Sequence, residues 1–257
     1  MAPVESKWQL TWSDEFNARN GAAPDPAKWA YELGGNGWGN KELESYTARS
    51  ANAEQRDGDL VLTARKEDFT GPDGVTSPYT SARLRTKGHF SQAYGRFEAR
   101  IKLPLGKGIW PAFWMLGNDI DSNRWPAAGE LDIMENIGES NRIYSTLHGP
   151  GYSGGKSITA PFVLPEGQAV NTGFHLYAVE WKPNDIQFYV DNLLIVERTP
   201  ASLPAGAKWV YDHPFFMLLN IAVGGAWPGY PDATTIFPQE MLVDYVRVYS
   251  KNPAKNL

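Results

Sequence analysis

Polar and apolar residues alternate without a break from Arg96 to Leu103. Arg96, Glu98, Arg100 and Lys102 occupy one set of positions, and Phe97, Ala99, Ile101 and Leu103 the other. A half-buried strand needs this period of two, because successive side chains point to opposite faces of a sheet. Runs rich in apolar, β-branched and aromatic residues predict further strands over Asp59 to Arg65, Trp110 to Leu116, Glu130 to Asn136, Ile143 to His148, Phe174 to Trp181, Ile186 to Val190, Leu193 to Arg198, Phe215 to Val223 and Leu242 to Tyr249. Asp191-Asn192 separates two of them and reads as a tight hairpin turn. Gly or Pro interrupts most stretches with helical spacing, so helix is limited to a turn or two, best placed near Pro26 to Trp29.

That many strands in one uninterrupted chain, without an internal repeat or a linker-like shift in composition, point to an all-β sandwich or jelly roll. A length of 257 residues fits one such domain, taken here as residues 1–257. The aromatic load, 10 Trp, 12 Tyr and 11 Phe beside 25 Gly and 19 Pro, suits short strands joined by turns and leaves aromatic rings to spare for a binding surface. A net charge of −5 without a basic face argues against nucleic acid as a partner. The absence of cysteine removes disulfides and thiolate chemistry. No apolar run approaches the length of a membrane span, and Met1-Ala2-Pro3-Val4-Glu5 has no hydrophobic signal core, so an exported protein would carry this N-terminus in processed form.

One predicted strand carries unusual chemistry. In Gly129-Glu130-Leu131-Asp132-Ile133-Met134-Glu135-Asn136 the carboxylates Glu130, Asp132 and Glu135 are set among apolar residues. Half-buried acids are costly unless they have partners or work to do. On a regular strand Glu130 and Asp132 share a face and Glu135 points away; one extra residue, taken up as a bulge at Ile133-Met134, returns Glu135 to the same face. A lone acidic pair is more often the wet side of an edge strand. Three acids beside aromatic-rich segments favour glycoside hydrolysis, which needs one carboxylate to attack the anomeric carbon and one neutral carboxylic acid to protonate the leaving oxygen. The charge of Asp132 between them opposes ionisation of its neighbours and helps keep the acid protonated.

The run Glu-Leu-Asp-Ile-Met-Glu resembles the active-site signature of glycoside hydrolase family 16. Its six-residue, bulged form is similar to that of the laminarinase branch, the licheninase branch having one residue fewer. The resemblance extends from Trp12-Ser13-Asp14-Glu15-Phe16 to Val243-Asp244-Tyr245-Val246-Arg247-Val248-Tyr249. It implies a jelly roll of two curved antiparallel sheets with Glu130 as nucleophile, Glu135 as acid/base and Asp132 assisting. It also implies an endo-acting, retaining β-1,3-glucanase that needs no catalytic cofactor.

Flanking segments match as well. Gly37-Trp38-Gly39-Asn40-Lys41-Glu42-Leu43 is similar to the family loop that sets an Asn, here Asn40, over the donor-side sugars. Trp110-Pro111-Ala112-Phe113-Trp114-Met115-Leu116 implies Trp110 and Trp114 at the cleft floor, Trp125 implies a ring beside the reacting sugar, and Leu147-His148-Gly149 implies His148 near the leaving group. Arg85 and Asn220 are implied polar contacts, and Trp227 a further ring. In Gly224-Gly225-Ala226-Trp227-Pro228-Gly229 the Ala stands where laminarinases often carry Asn, which removes one donor-side hydrogen bond. Aromatic faces suit pyranose rings, whose axial C–H groups form an apolar surface. The resemblance of Glu15, Gly58 and Asp244 implies a structural calcium far from the acids, joining the chain ends. A β-glucan polysaccharide is the expected partner, with the protein secreted and monomeric. A mixed-linkage glucanase, a transglycosylase and a non-catalytic β-glucan-binding protein are the alternatives.

Two competing motifs fail on context. Gly151-Tyr152-Ser153-Gly154-Gly155 matches the serine-hydrolase elbow, but Lys156-Ser157-Ile158-Thr159-Ala160-Pro161 cannot supply the long helix that must follow. Asp119 to Glu130 imitates a calcium-binding EF-hand loop, with Arg124 where glycine is required. His89, His148, His175 and His213 lack zincin spacing.

Overall fold

The computed structural model describes residues 7–251; the N-terminal residues on which the expectation of a processed chain rests lie outside the described residues. In chain order the strands are β1 (Trp8–Asp14), β2 (Ala30–Glu32), β3 (Glu44–Tyr46), β4 (Ala53–Arg56), β5 (Asp59–Thr70), β6 (Thr76–Ser81), β7 (Arg83–Arg85), β8 (Gly95–Lys102) and β9 (Ile109–Gly117). They continue as β10 (Glu130–Glu135), β11 (Arg142–His148), β12 (Ile158–Val163), β13 (His175–Lys182), β14 (Asp185–Val190), β15 (Leu193–Arg198), β16 (Phe215–Val223) and β17 (Gln239–Lys251). The larger sheet runs β15-β14-β13-β8-β17-β5-β6-β3, with β1 beside β17 and β4 beside β5; the smaller runs β12-β11-β10-β9-β16-β7-β2. This is the two-sheet jelly roll expected from the strand pattern, with one departure from a purely antiparallel arrangement, since β3 pairs parallel to β6.

One hydrophobic core fills the space between the sheets. Phe97, Ala99, Ile101, Val243, Val246 and Val248 enter it from the larger sheet, and Phe113, Met115, Leu131, Leu219, Ile221 and Val223 from the smaller. The Arg96-to-Leu103 alternation therefore placed the apolar set correctly. Half of its polar set is not solvated, however: Arg96 and Glu98 are buried because β8 lies between β13 and β17, while Arg100 and Lys102 stay partly exposed. Arg96 satisfies that burial by pairing with Glu98 at 2.7 Å and Glu180 at 3.3 Å, and Tyr249 donates its hydroxyl to Glu98. Buried charges persist where every partner is supplied in this way.

Asp191 and Asn192 both have positive φ, 49° and 66°, the conformation of a tight hairpin turn with the right twist for its strands. Pro26 to Trp29 forms a single turn closed by the Asp25 carbonyl and no helix. Among the described residues the helical segments are short 3-10 turns at Asn36–Gly39, Gly154–Lys156 and Pro200–Ser202.

Candidate active site

The smaller sheet turns one face to the core and the other to a cleft lined by Asn40, Glu42, Arg83, Trp110, Trp114, Asn220 and the three acids. The bulge lies where the sequence requires it. Against β9 the register passes from Asp132 opposite Trp114 to Met134 opposite Phe113, leaving Ile133 as the extra residue. Ile133 and Met134 are both buried in the core, and Glu135 regains the cleft face opposite Ala112 and Tyr144. The bulge thus adds an apolar plug to the core while keeping three carboxyl groups on one side.

The two glutamates each have their own donors. Trp125 donates its indole N–H to Glu130 Oε2 at 2.7 Å, and Trp110 donates to Glu135 Oε1 at 3.0 Å. Thr146 donates to Glu135 Oε2 at 3.4 Å. His148, directly opposite Glu130 on β11, places Nε2 3.2 Å from Asp132 Oδ2 and 3.7 Å from Glu130 Oε1. The Gly154 backbone N–H donates to His148 Nδ1 at 3.1 Å, so the ring carries its proton on Nε2, aimed at the acids. The loop that mimics a serine-hydrolase elbow therefore serves to orient a histidine, and Ser153 leads into a 3-10 turn with no long helix.

Burial raises the proton affinity of all three acids. Glu130 is pushed up to about 8, mainly by desolvation and then by the charge of Asp132, with His148 and the Trp125 hydrogen bond opposing. Desolvation likewise pushes Asp132 up to about 8. Glu135 is held well above the ordinary carboxylate range by desolvation and then by the charges of Asp132 and Glu130. Carboxyls this close cannot all ionise together, and the one that keeps its proton is a general acid while a donor-supported neighbour carries the charge. Glu135 meets the first description and Glu130 the second.

The remaining predicted contacts divide. Trp110, Trp114, Asn40 and Asn220 line the cleft. Trp125 and Trp227 stand at its rim, 46% and 42% exposed, and Trp227 meets Trp110 and Tyr144 edge-on at centroid distances of 5.6 and 5.0 Å. Exposed indoles of this kind are unusual unless a ligand covers them. Arg85 is instead paired with Glu32 at 2.8 Å, opposite Leu218 and one step further from the acids. Arg83 holds the cleft position, opposite Asn220 and 4.7 Å from the rings of both Trp38 and Trp114. The alternation on β7 that puts Arg83 and Arg85 on one face was the signal for it. Glu42, Tyr144 and Thr146 were also missed, the last two being legible only from the register of β11 against the acid strand. At Ala226 the side-chain hydrogen bond is absent, but its backbone N–H donates to the Asn40 carbonyl at 2.8 Å and still ties the two loops together.

Glu15, Gly58 and Asp244 lie away from the cleft residues. Arg247 engages both oxygens of Glu15 at 2.9 and 2.7 Å, Arg100 takes Asp244 at 2.5 Å, and Gly58 forms the β4–β5 turn. Among the described residues the side-chain group with metal-ligating spacing is Glu130, Asp132 and His148, and its His148 presents a protonated Nε2, which is not a ligand form.

A β-sandwich bearing an aromatic-walled cleft and a bulged strand of three acids is the framework of a polysaccharide-cleaving glycoside hydrolase. Residues 40–247 match the model of glycosyl hydrolases family 16, and the chain belongs to that family. A β-glucanase of Rhodothermus marinus is 44% identical over 94% of this chain and 85% of its own length. The laminarinase catalytic domain of Thermotoga maritima superimposes with a TM-score of 0.90 at 49% identity, covering 96% of this chain and 100% of that one. The endo-β-1,3-glucanase of Pyrococcus furiosus does so with a TM-score of 0.90 at 49% identity, covering 95% and 94%.

Proposed function

We propose that the chain is an endo-β-1,3-glucanase acting on laminarin-type glucan with retention of configuration. The observation that carries this reading is the bulged strand that sets Glu130, Asp132 and Glu135 on one cleft face, with a separate indole donor for each of the two glutamates. Glu130 attacks the anomeric carbon while Glu135 gives its proton to the glycosidic oxygen; Glu135 then takes a proton from water, whose oxygen displaces Glu130. The indoles of Trp110, Trp125 and Trp227 offer faces to successive sugars. A non-catalytic binding role has no use for a cluster of buried acids whose proton affinity is raised. Product profiles on laminarin, lichenan and cellulose test the linkage: laminarin is cleaved fastest and cellulose is inert. Equal rates on lichenan and laminarin would establish the mixed-linkage reading instead.

A polymeric substrate that cannot cross a membrane supports action outside the cell, and a cleft complete within one chain supports a monomer. For the structural calcium, both candidate carboxylates are already engaged by arginines. An ion there would rest on backbone carbonyls near Glu15 and Gly58 and on an Asp244 released from Arg100, the oxygen set calcium prefers. Burial and the charge of Asp244 raise Asp59, so a cation would also relieve that pair. Chelation followed by calcium addition should lower and then restore the unfolding midpoint; an unchanged midpoint removes calcium from the account.

A further inference from the structure

We infer that Glu44 and Glu42 share one proton and that this buried pair is the positioning device for the donor side of the cleft. Glu44 is 1% exposed. The Val223 N–H donates to its Oε2 at 2.6 Å, while its Oε1 meets no N–H or O–H donor. Its acidic neighbour is the Glu42 carboxyl, close enough for its charge to raise the proton affinity of Glu44. Two carboxyl groups in a dry site can lie against each other only with a proton between them. Burial and the charge of Glu42 keep that proton on Glu44, whose affinity for it is raised well above the carboxylate range.

Glu42 passes this order to the cleft, which it lines. Its Oε1 accepts from Asn40 Nδ2 at 3.0 Å and its Oε2 from the Tyr46 hydroxyl at 3.2 Å. Asn220 Nδ2 donates to the Tyr46 oxygen at 3.1 Å, and Trp114 Nε1 to Asn220 Oδ1 at 2.8 Å. The chain of bonds fixes two amides. Asn40 is held by its N–H, which leaves its carbonyl oxygen to accept from a sugar hydroxyl. Asn220 is engaged at both ends and acts chiefly as a strut under Trp114. The groups facing the pair are Tyr46 beside Glu44 on β3, the Val223 N–H from β16, and Arg83 from β7, whose charge reaches Tyr46. Removing the shared proton leaves two buried anions in contact, which pushes Glu42 off Asn40 and Tyr46.

The inference rests on the cleft binding glucan, and its test separates the two. Glu44→Gln is isosteric: its amide N–H donates to Glu42 in place of the proton, and its carbonyl retains the Val223 N–H. Affinity for a laminari-oligosaccharide is measured by calorimetry on Glu130→Gln protein, with either Glu or Gln at position 44. The two affinities agree near neutral pH; in the alkaline range the protein with Glu44 weakens roughly tenfold relative to the protein with Gln. Curves that coincide at every pH overturn the inference. Infrared spectroscopy of the otherwise native protein gives a ligand-free readout: a band of a buried protonated carboxyl near neutral pH disappears in Glu44→Gln. An unchanged band also overturns it. Should Glu130→Gln protein bind no oligosaccharide at any pH, the glucan reading fails, and the infrared difference still decides the proton.

Discussion

At the scale of single residues, repulsion among Glu130, Asp132 and Glu135 is what sorts their roles. The affinity for protons is raised on all three, on Glu135 by burial and by the two carboxyls beside it. The cluster therefore binds more protons in the folded protein than in the unfolded chain between the ordinary carboxylate value of 4.5 and about 8. With raised folded-state values, its contribution to stability is fully present below the unfolded value and is lost as pH rises through that window. Glu135→Gln removes one ionisable member without changing its shape. It should abolish hydrolysis of natural glucan yet stabilise the fold by about 1–3 kcal/mol at alkaline pH, with little effect in mildly acidic solution. Thermal unfolding at two pH values checks this, and a variant less stable than the parent at alkaline pH would contradict it. The catalytic triad of acids was legible in the sequence because buried-looking carboxylates stand out in an apolar strand. Glu44 was not, since Glu42-Leu43-Glu44 sits in a loop-to-strand passage where acids usually meet water.

At the scale of elements, the acid strand shows how far pattern reading reaches. The bulge followed from counting alternation, and Ile133 is the residue that the register leaves over. Deleting Ile133 restores a regular strand in which Asp132 and Glu135 still share a face, so hydrolysis of laminarin should persist. The cost is one buried aliphatic side chain, about 2–4 kcal/mol of stability. Inserting one alanine after Ile133 instead also gives an even spacing, so a regular strand keeps the acids on one face, but Glu130 and Glu135 then stand six residues, roughly 20 Å, apart along the strand and activity should be abolished. Equal loss of activity in the two variants would show that the bulge itself, and not the shared face, is what catalysis requires. Strands without a strong pattern were not legible. β2, β3 and β7 have three residues each, and β12 carries Pro161 on the edge of its sheet, where a missing N–H is tolerated. The buried polar face of β8 was likewise hidden, because alternation reports which residues differ and not what covers them.

At the scale of the whole molecule, two sheets around one core hold a strand of acids rigidly across a cleft whose far wall is built from the Asn40 loop. That loop has Asn36, Trp38 and Lys41 at positive φ, with Gly37 and Gly39 between them. Such a backbone is costly for a residue as large as Trp38 and persists because Trp38 is pinned by a hydrogen bond to Gly34 O and by the ring contact with Tyr46. On the proposed reading the whole assembly serves one chemical event, attack by Glu130 with protonation by Glu135. The most direct test combines two observations on that event. Proton NMR of laminarin digestion by the native protein should show the β-anomer first. Mass spectrometry of Glu135→Ala protein with a laminari-oligosaccharide bearing an activated leaving group should show a glycosyl adduct on Glu130, because departure then needs no acid and release lacks its base. A first-formed α-anomer, or an adduct on any other residue, would contradict the account.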